Sequence, residues 1–518
     1  MVVTASFFRD MVRSLRNWRR TPGSALLVVL ALGLSGGALL TLISLVNALF
    51  WRELPVSHPE ELVGVSATDR RVPDWVPISI PVSLFASLDR PEKVFQAFAA
   101  FEDFEPTAVI ENTSQRLAIE GVSGRYFETL GVRPALGQVV GAREVDRASP
   151  VAMISFRCWQ TRFGADPHVI GQTFRVQGEP VTVIGVAPRA FTGLEVGIPA
   201  DAWVPASLVP RLINWPPSLN AFDALVGRRR PGVTLQQAKS QLESLWPSAR
   251  QAAAEVVAAG AATISAAAAP EMRDDTLALQ PRIESAARGF SEYGGFYRHT
   301  LVLLVLSSAI TIVLSCANLS GLLLARWSTR EADLAVQAAL GASNGRLVSQ
   351  VVGESLALSM VAVILSAPLA LWSAKSLTVI LWNQPDVSQP LDLSLDYRVL
   401  GAMVALAGLV SVCVSLLPAS RIWSAKLVLT RGTRGLPGRS VTRWGRWLAS
   451  AQVALSVPLL VTAWIVATNL HRLEGVNTGF RPDGVIVVNT TNQGGVAPAA
   501  DPVAYLRRLA TALRAIPG

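Results

Sequence analysis

Cysteine is nearly missing from this 518-residue chain: the three present are Cys158, in a stretch of globular composition, and Cys316 and Cys413, inside apolar runs. No disulfide framework or CxxC zinc site can be built from them. Lysine occurs four times, at Lys93, Lys239, Lys375 and Lys426, and never after glycine. A P-loop needs Gly-Lys, because the lysine must reach the terminal phosphates from a turn whose amides cradle the rest. ATP hydrolysis by that route is excluded within these residues. The histidines His58, His168, His299 and His471 are scattered and form no HExxH. A GxSxG match, Gly33 to Gly37, lies in a charge-free apolar run, where the strand-to-helix turn of a nucleophile elbow cannot form. Charged residues make up 16% of the chain against 51% hydrophobic ones, which excludes a purely soluble enzyme.

Long apolar runs are abundant instead. No charge separates Arg20 from Arg52, and Ser24 to Phe50 is 27 residues long, where roughly 20 cross a bilayer. A cleaved signal peptide has an apolar core of roughly 7 to 15 residues, so a retained signal anchor is expected. Four more runs follow, Thr300 to Ala325, Ser355 to Ala374, Val399 to Ser420 and Trp447 to Leu470, which gives five expected spans. Trp18, Trp51, Tyr297, Trp327, Trp372, Trp382, Trp423 and Trp444 sit near their ends, as rings at headgroup level should. No Asp, Glu, Lys, Arg or His lies inside any run, which argues against an ion-coupled carrier. Gly33, Gly37, Thr41 and Ser44 fall along one face of the first run, a small-residue stripe that lets another helix approach closely. Pro368, Pro418 and Pro458 lie within runs, where membrane helices tolerate them.

The net charge of +9 would suit nucleic acid, but the basic residues gather beside the apolar runs, where cytoplasmic loops carry them. Arg9, Arg13, Arg16, Arg19 and Arg20 precede the first run, and Arg421 to Arg446 carries seven basic residues and no acid. The loop after the third run sets Asp386, Asp392 and Asp396 against Lys375 and Arg398. The expected order is therefore 1–22 a cytoplasmic amphipathic helix, 23–51 a span, 52–299 an external domain, 300–325 a span and 326–354 a cytoplasmic segment. It continues with 355–374 a span, 375–398 an external loop, 399–420 a span, 421–446 a basic cytoplasmic linker, 447–470 a span and 471–518 external. Phe7, Phe8, Met11, Val12, Leu15 and Trp18 recur at helical spacing among the arginines, which predicts a helix lying on the inner membrane surface.

The external stretch alternates short strands and helices, so a mixed α+β domain is expected. Arg116 to Val122 reads as a strand, Gly124 to Leu130 as a short helix, and Val151 to Ser155 as a strand leading to a helix around Trp159. Phe174–Gln177 and Val181–Val186 read as a hairpin turning at Gly178-Glu179-Pro180. A helix from Leu235 is expected to break near Pro247 and resume to about Ala259. The small-residue stretch Ala258 to Ala269 reads as a mobile connection. Arg228-Arg229-Arg230, ahead of Pro231-Gly232, reads as a solvated turn rather than a site for an acidic ligand.

Specific motifs follow. Ser315-Cys316-Ala317-Asn318 through Leu322-Leu323-Leu324-Ala325-Arg326, then Thr329-Arg330-Glu331-Ala332-Asp333-Leu334-Ala335-Val336 and Ala339-Leu340-Gly341-Ala342-Ser343, resembles the signature of FtsX-like ABC transporter permeases. The external stretch resembles the MacB-type periplasmic core domain in Gly121 to Phe127, Leu130 to Pro134, Trp159 to Gly164 and Val183 to Pro188. Ala451 to Ser456, then Gly479-Phe480-Arg481-Pro482-Asp483, is similar to the start of the second half in duplicated permeases of the acidobacterial orphan type. The family usually carries glutamate and arginine where this chain has Asp333 and Gln337. An incomplete member is expected, because the 48 residues after the fifth run are too few to make a core of their own.

The resemblance implies a multi-pass α-helical membrane protein with a large α+β extracytoplasmic domain in the bacterial inner membrane, N-terminus cytoplasmic. It implies a permease subunit rather than an enzyme, with no cofactor in this chain and ATP only on a separate cytoplasmic ABC ATPase. Arg330, Glu331, Asp333, Leu334, Leu340, Gly341 and Ala342 are the residues it assigns to contact with that ATPase. Membrane lipid and a second permease chain or an envelope protein are the other expected partners, and nucleic acid is not. A non-transporting regulator of an envelope partner, as FtsX relatives are, and an inactive truncated permease are the competing readings.

Overall fold

A computed structural model describes residues 22–73, 76, 78–88, 94–111, 113–290, 292–328, 344–382, 401, 404–406, 408–413, 438–474 and 511. It forms two compact units: Met1–Ala48 with Tyr297–Val485, and Leu49–Phe296 with Ile486–Gly518. Apart from Pro22, the amphipathic N-terminal helix expected over 1–22 lies outside the described residues, as do the motif at 329–343 and most of the loop, linker and tail at 383–400, 414–437 and 475–510.

Helix α1 spans Pro22–Val46. The second unit then opens with β1 (Leu62–Thr68), β2 (Ile80–Pro81), α2 (Val82–Leu88) and β3 (Phe95–Phe104). Next come β4 (Thr107–Ile110), β5 (Thr113–Arg116), β6 (Ile119–Val122), α3 (Tyr126–Leu130), β7 (Leu136–Gly137) and α4 (Ala142–Asp146). These lead to β8 (Val151–Ile154), α5 (Phe156–Arg162), β9 (Thr173–Val176), β10 (Glu179–Val186), β11 (Ala202–Pro205) and α6 (Val209–Ile213). The unit closes with β12 (Ala221–Phe222), β13 (Ala224–Arg229), α7 (Leu235–Ala262), α8 (Ala268–Ala278) and β14 (Gln280–Ser285).

One sheet runs β14-β1-β13-β3-β6-β11-β8-β10-β9-β4-β5, with β7 beside β10, and β12 and β2 form a separate small pair. Among the described strands, β10 with β8 and β11 with β6 pair in parallel and the other pairs are antiparallel. Side chains alternate across the strands, so each face has its own core. Val63, Val65, Phe98, Ala100 and Leu225 meet Leu84 of α2 and Leu242, Trp246 and Ala253 of α7. On the opposite face Leu62, Phe101 and Val226 meet Tyr126 and Phe127 of α3, with Phe191 and Trp203 beside them. The far half of the sheet closes over Cys158 of α5 and Val209 and Leu212 of α6.

Several sequence expectations are corrected. The strand expected over Arg116–Val122 is two strands, because Asp201 Oδ2 accepts from the Ala118 amide at 3.2 Å and the Ala118 carbonyl accepts from the Asp201 amide at 2.6 Å, which pins the chain between β5 and β6. The β9–β10 hairpin turns on Gln177 and Gly178, with φ of 50° and 86°, and Glu179 and Pro180 already belong to β10. Two successive positive φ values give the strand twist that a two-residue hairpin needs.

Helix α7 continues through Pro247 to Ala262. The proline removes one backbone hydrogen bond, but Leu242, Trp246, Ala249 and Ala253 bury one stripe on both sides of it, and the Trp246 indole donates to the Leu279 carbonyl at 3.0 Å. A capping box starts the helix: the Gln237 amide donates to Thr234 Oγ1 at 3.2 Å and the Thr234 amide to Gln237 Oε1 at 2.8 Å. Within the small-residue stretch Ala258 to Ala269, Gly260 and Ala261 are buried while residues 262–267 are exposed, and Val257 and Ala261 of α7 lie against Leu219 and meet Ala269 and Met272 of α8.

The arginine run is not a solvated turn. Arg228, at the end of β13, is buried and donates to the carbonyls of Thr129 at 2.7 Å, Ser57 at 2.5 Å and His58 at 3.2 Å, and to Glu61 Oε2 at 3.0 Å. Arg229 reaches the Glu60 carbonyl at 2.6 Å and Arg230 the Phe95 carbonyl at 3.3 Å.

The remaining helices of the first unit are α9 (Glu292–Ser328), α10 (Asn344–Trp382) and α11 (Gly438–Glu474), each longer than the apolar run inside it. Among the described residues four helices are long and apolar enough to cross a bilayer, at Val29–Val46, Val302–Gly321, Ser355–Ser373 and Ala449–Asn469. A shorter apolar helix covers Val404–Cys413 within the fourth expected span, whose other residues are mostly undescribed.

Candidate functional site

The membrane unit is built on close approach between α1 and α10. A Cβ on Gly37 would come within 2.9 Å of Leu369 Cδ2, and one on Gly33 within 3.6 Å of the Ala362 carbonyl. Thr41 Oγ1 donates to the Gly37 carbonyl at 2.9 Å and lies 2.6 Å from Ser373 Oγ. Ser44 is buried. Gly36, absent from the stripe read in the sequence, faces Ser366 at 3.6 Å. Further hydroxyl pairs join Ser35 to Ser315 of α9 at 3.4 Å and Ser355 of α10 to Ser411 at 3.1 Å. Each of these hydroxyls on α1, α9 and α10 also bonds a carbonyl three or four residues back on its own helix, so each of them has a partner in an apolar medium. The ATPase-contact residues Arg330, Glu331, Asp333, Leu334, Leu340, Gly341 and Ala342 lie outside the described residues.

In the external unit, carboxyl groups converge on the sheet face opposite α7. A cavity of about 560 Å³ is lined there by Phe101, Asp103, Glu195, Asp223, Ala224 and Phe290. Asp103 follows Phe101 on the same face of β3, whereas Glu102 points to the other face, where Oε1 accepts from Asn220 Nδ2 at 2.9 Å. Glu120 of β6 is wholly buried, and its Oε2 accepts from the Tyr126 hydroxyl and the Trp203 indole, both at 2.7 Å. Gly193, at φ 104°, passes so close that a Cβ would lie 2.0 Å from Glu120 Oε1. Asp223 accepts from the Asp103 amide at 2.7 Å and meets Ser79 Oγ at 3.2 Å.

Burial raises the proton affinity of all four groups, because ionisation costs most where water is excluded. Glu102 is pushed up to about 8 by burial, against the lowering effect of the Asn220 bond. Burial takes Glu120 to about 7, opposed by the Tyr126 and Trp203 bonds. Asp103 is held well above the usual carboxylate range by burial first, then by Glu120 and by its contact with Glu195. Asp223 is raised by burial, opposed by its bonds to the Asp103 amide and Ser79.

This arrangement can hold protons and accept donors. It brings no base to a nucleophile: His58 pairs with Glu60 and His168 with Asp166, both at the surface. Among the described residues no three His, Cys, Asp or Glu are placed to hold a metal ion. Sequence reasoning missed the cluster, although acids inside the apolar strands Phe95–Phe104 and Ile119–Val122 were a legible signal, since a charge in a buried strand needs partners.

Residues 25–245 match the MacB-like periplasmic core domain and residues 305–427 the FtsX-like permease C-terminal region. The macrolide export ATP-binding/permease protein MacB of Burkholderia thailandensis is 25% identical over 131 residues, which is 25% of this chain and 20% of that protein. Its counterpart in Burkholderia pseudomallei is 31% identical over 94 residues, 18% of this chain and 14% of that protein. The chain therefore spans about a fifth or less of the length of the curated relatives it matches. The crystal structure of the periplasmic region of MacB from Actinobacillus actinomycetemcomitans aligns with a TM-score of 0.30 at 18% identity, over 36% of this chain and 83% of that one. With a MacB-like periplasmic core ahead of an FtsX-like permease region, and with apolar helices of membrane-crossing length, the chain is an FtsX/MacB-like ABC permease with a large extracytoplasmic α+β domain.

Proposed function

We propose that the chain is the transmembrane subunit of an ABC-type export or mechanotransmission system, in which a cytoplasmic ATPase outside these residues drives movement of the external domain. The observation that carries this reading is the order of the two family regions, a periplasmic core followed by a permease segment. The lack of any Gly-Lys sequence supports a reading in which another polypeptide carries the nucleotide chemistry. Spans free of Asp, Glu, Lys, Arg and His suit transmission of movement better than passage of an ion. The MacB relatives are named for macrolide export, which favours export over a purely regulatory role.

In this reading the N-terminus is cytoplasmic, the chain is multi-pass, and the ATPase grips Arg330, Glu331, Asp333, Leu334, Leu340, Gly341 and Ala342. Membrane lipid surrounds the spans, and a second permease chain or an envelope protein is the further partner. The test is charge at the grip: Leu340→Asp and Gly341→Asp should abolish co-purification of the ATPase in mild detergent. Undiminished association of both variants removes the reading. Protease added to intact spheroplasts should cut within 52–299 and spare 329–343.

A further inference from the structure

We propose that the carboxyl pair Asp103 and Glu195 is a proton-operated latch on the strap Gly193–Val196, which pins Phe290 two residues ahead of helix α9. The strap is defined by backbone geometry. The Val196 amide donates to the Phe290 carbonyl at 2.7 Å and the Phe290 amide to the Leu194 carbonyl at 2.9 Å, so Glu195 and Phe290 form a parallel bridge. Gly289, at φ 78°, allows this closeness, because a Cβ there would lie 2.5 Å from the Leu194 carbonyl. The ring of Phe290 in turn covers Gly64 of β1, whose Cβ would meet it at 2.8 Å, and lies tilted against Phe101 with ring centroids 5.4 Å apart.

Beneath the strap, Asp103 and Glu195 line the same cavity, and Glu195 helps to hold the proton on Asp103. Two carboxyl groups can share a hydrogen bond only if one keeps a proton. The Asp103 Oδ2 atom is sealed from solvent and has no hydrogen-bond partner, so water does not screen the pair there. Among the described residues the charged groups that face it are Glu120 from β6 and Asp223 just ahead of β13, both acidic, with Glu105, Glu284 and Arg282 on the rim. Arg282 is bonded to Glu284 at 2.7 Å. Loss of the shared proton would therefore leave two carboxylates side by side among acids, where their repulsion is strong. Glu195 has room to leave through the cavity, and its departure takes with it the residue whose neighbours hold Phe290. The latch is closed while the proton is shared and opens as pH rises. Nothing in this inference depends on an ATPase.

Amide hydrogen exchange of the full chain in detergent, corrected for the intrinsic pH dependence of exchange, tests it. Protection of the Val196 and Phe290 amides should fall about tenfold between about pH 5.5 and about pH 8.5. Glu195→Gln supplies its own donor to Asp103 and should keep the protection at both pH values. Asp103→Asn should do the same and serves if the first variant folds poorly. Glu284→Gln on the rim should retain the wild-type fall. Wild-type protection that does not change with pH, a fall that persists in both Glu195→Gln and Asp103→Asn, or its abolition by Glu284→Gln would each overturn the latch.

Discussion

Tyr126 donates its phenolic hydrogen to Oε2 of Glu120 across 2.7 Å, and both residues are wholly buried. The Trp203 indole reaches the same oxygen, so one carboxyl joins α3, β6 and β11. Removing the phenol hydroxyl should leave the carboxyl under-satisfied without opening a cavity. Tyr126→Phe is expected to destabilise the external domain by about 1–2 kcal/mol, measured as a lower unfolding midpoint in tryptophan fluorescence of the full chain in detergent.

The raised carboxyls give stability a pH dependence of definite sign. A carboxyl kept protonated in the fold holds a proton that the unfolded chain releases near about pH 4. Its contribution is complete below that pH and is lost as pH rises through the folded value. With Glu102 at about 8 and Glu120 at about 7, the external domain should melt at progressively lower temperature from mildly acidic to mildly alkaline buffer. Glu102→Gln keeps the acceptor for Asn220 and should flatten the upper part of that curve, as read by differential scanning fluorimetry across a pH series.

Gly37 sits where any side chain meets Leu369. Gly37→Leu should separate α1 from α10 and lower the thermal midpoint of the membrane unit, at a cost of roughly 1–3 kcal/mol from overpacking. Leu369→Ala in the same chain should recover part of the loss. A double-mutant cycle showing strictly additive effects would mean that the two residues do not meet.

Arg228 makes four contacts through one guanidinium, three of them to carbonyls. Lysine carries the charge but not the planar fork. Arg228→Lys is expected to cost about 2 kcal/mol in the stability of the external domain, visible as an earlier urea midpoint with an unchanged slope.

The sequence was most legible where one residue type decides the outcome. Charge-free runs marked the apolar helices, and short alternating segments marked β8, α5 and the β9–β10 hairpin, because burial and periodicity act locally there. It misled where distant contacts override a local rule. Pro247 stays inside α7 because its neighbours are anchored in the sheet core, and Arg228 is buried because carbonyls from Ser57, His58 and Thr129 surround it. The carboxyl cluster was legible only as acids set in apolar strands, because Asp103, Glu120, Glu195 and Asp223 come together through the pairing of β3 with β6 and β13 and the crossing of the strap. Gly36 was overlooked because a regular small-residue repeat drew attention to Gly33 and Gly37, while the observed contact of Gly36 with Ser366 follows from the width of the helix face.

The first long strand of the external domain, β1, and its last, β14, lie side by side and antiparallel, with Val63 opposite Ser285. Both chain leads therefore leave that ladder from the same end. A load that draws the leads apart would unzip the pair one rung at a time, beginning at Val63 and Ser285, while a load that hauls both in one direction leaves every rung intact. The domain is thus hung so that it tolerates being lifted and yields to being spread.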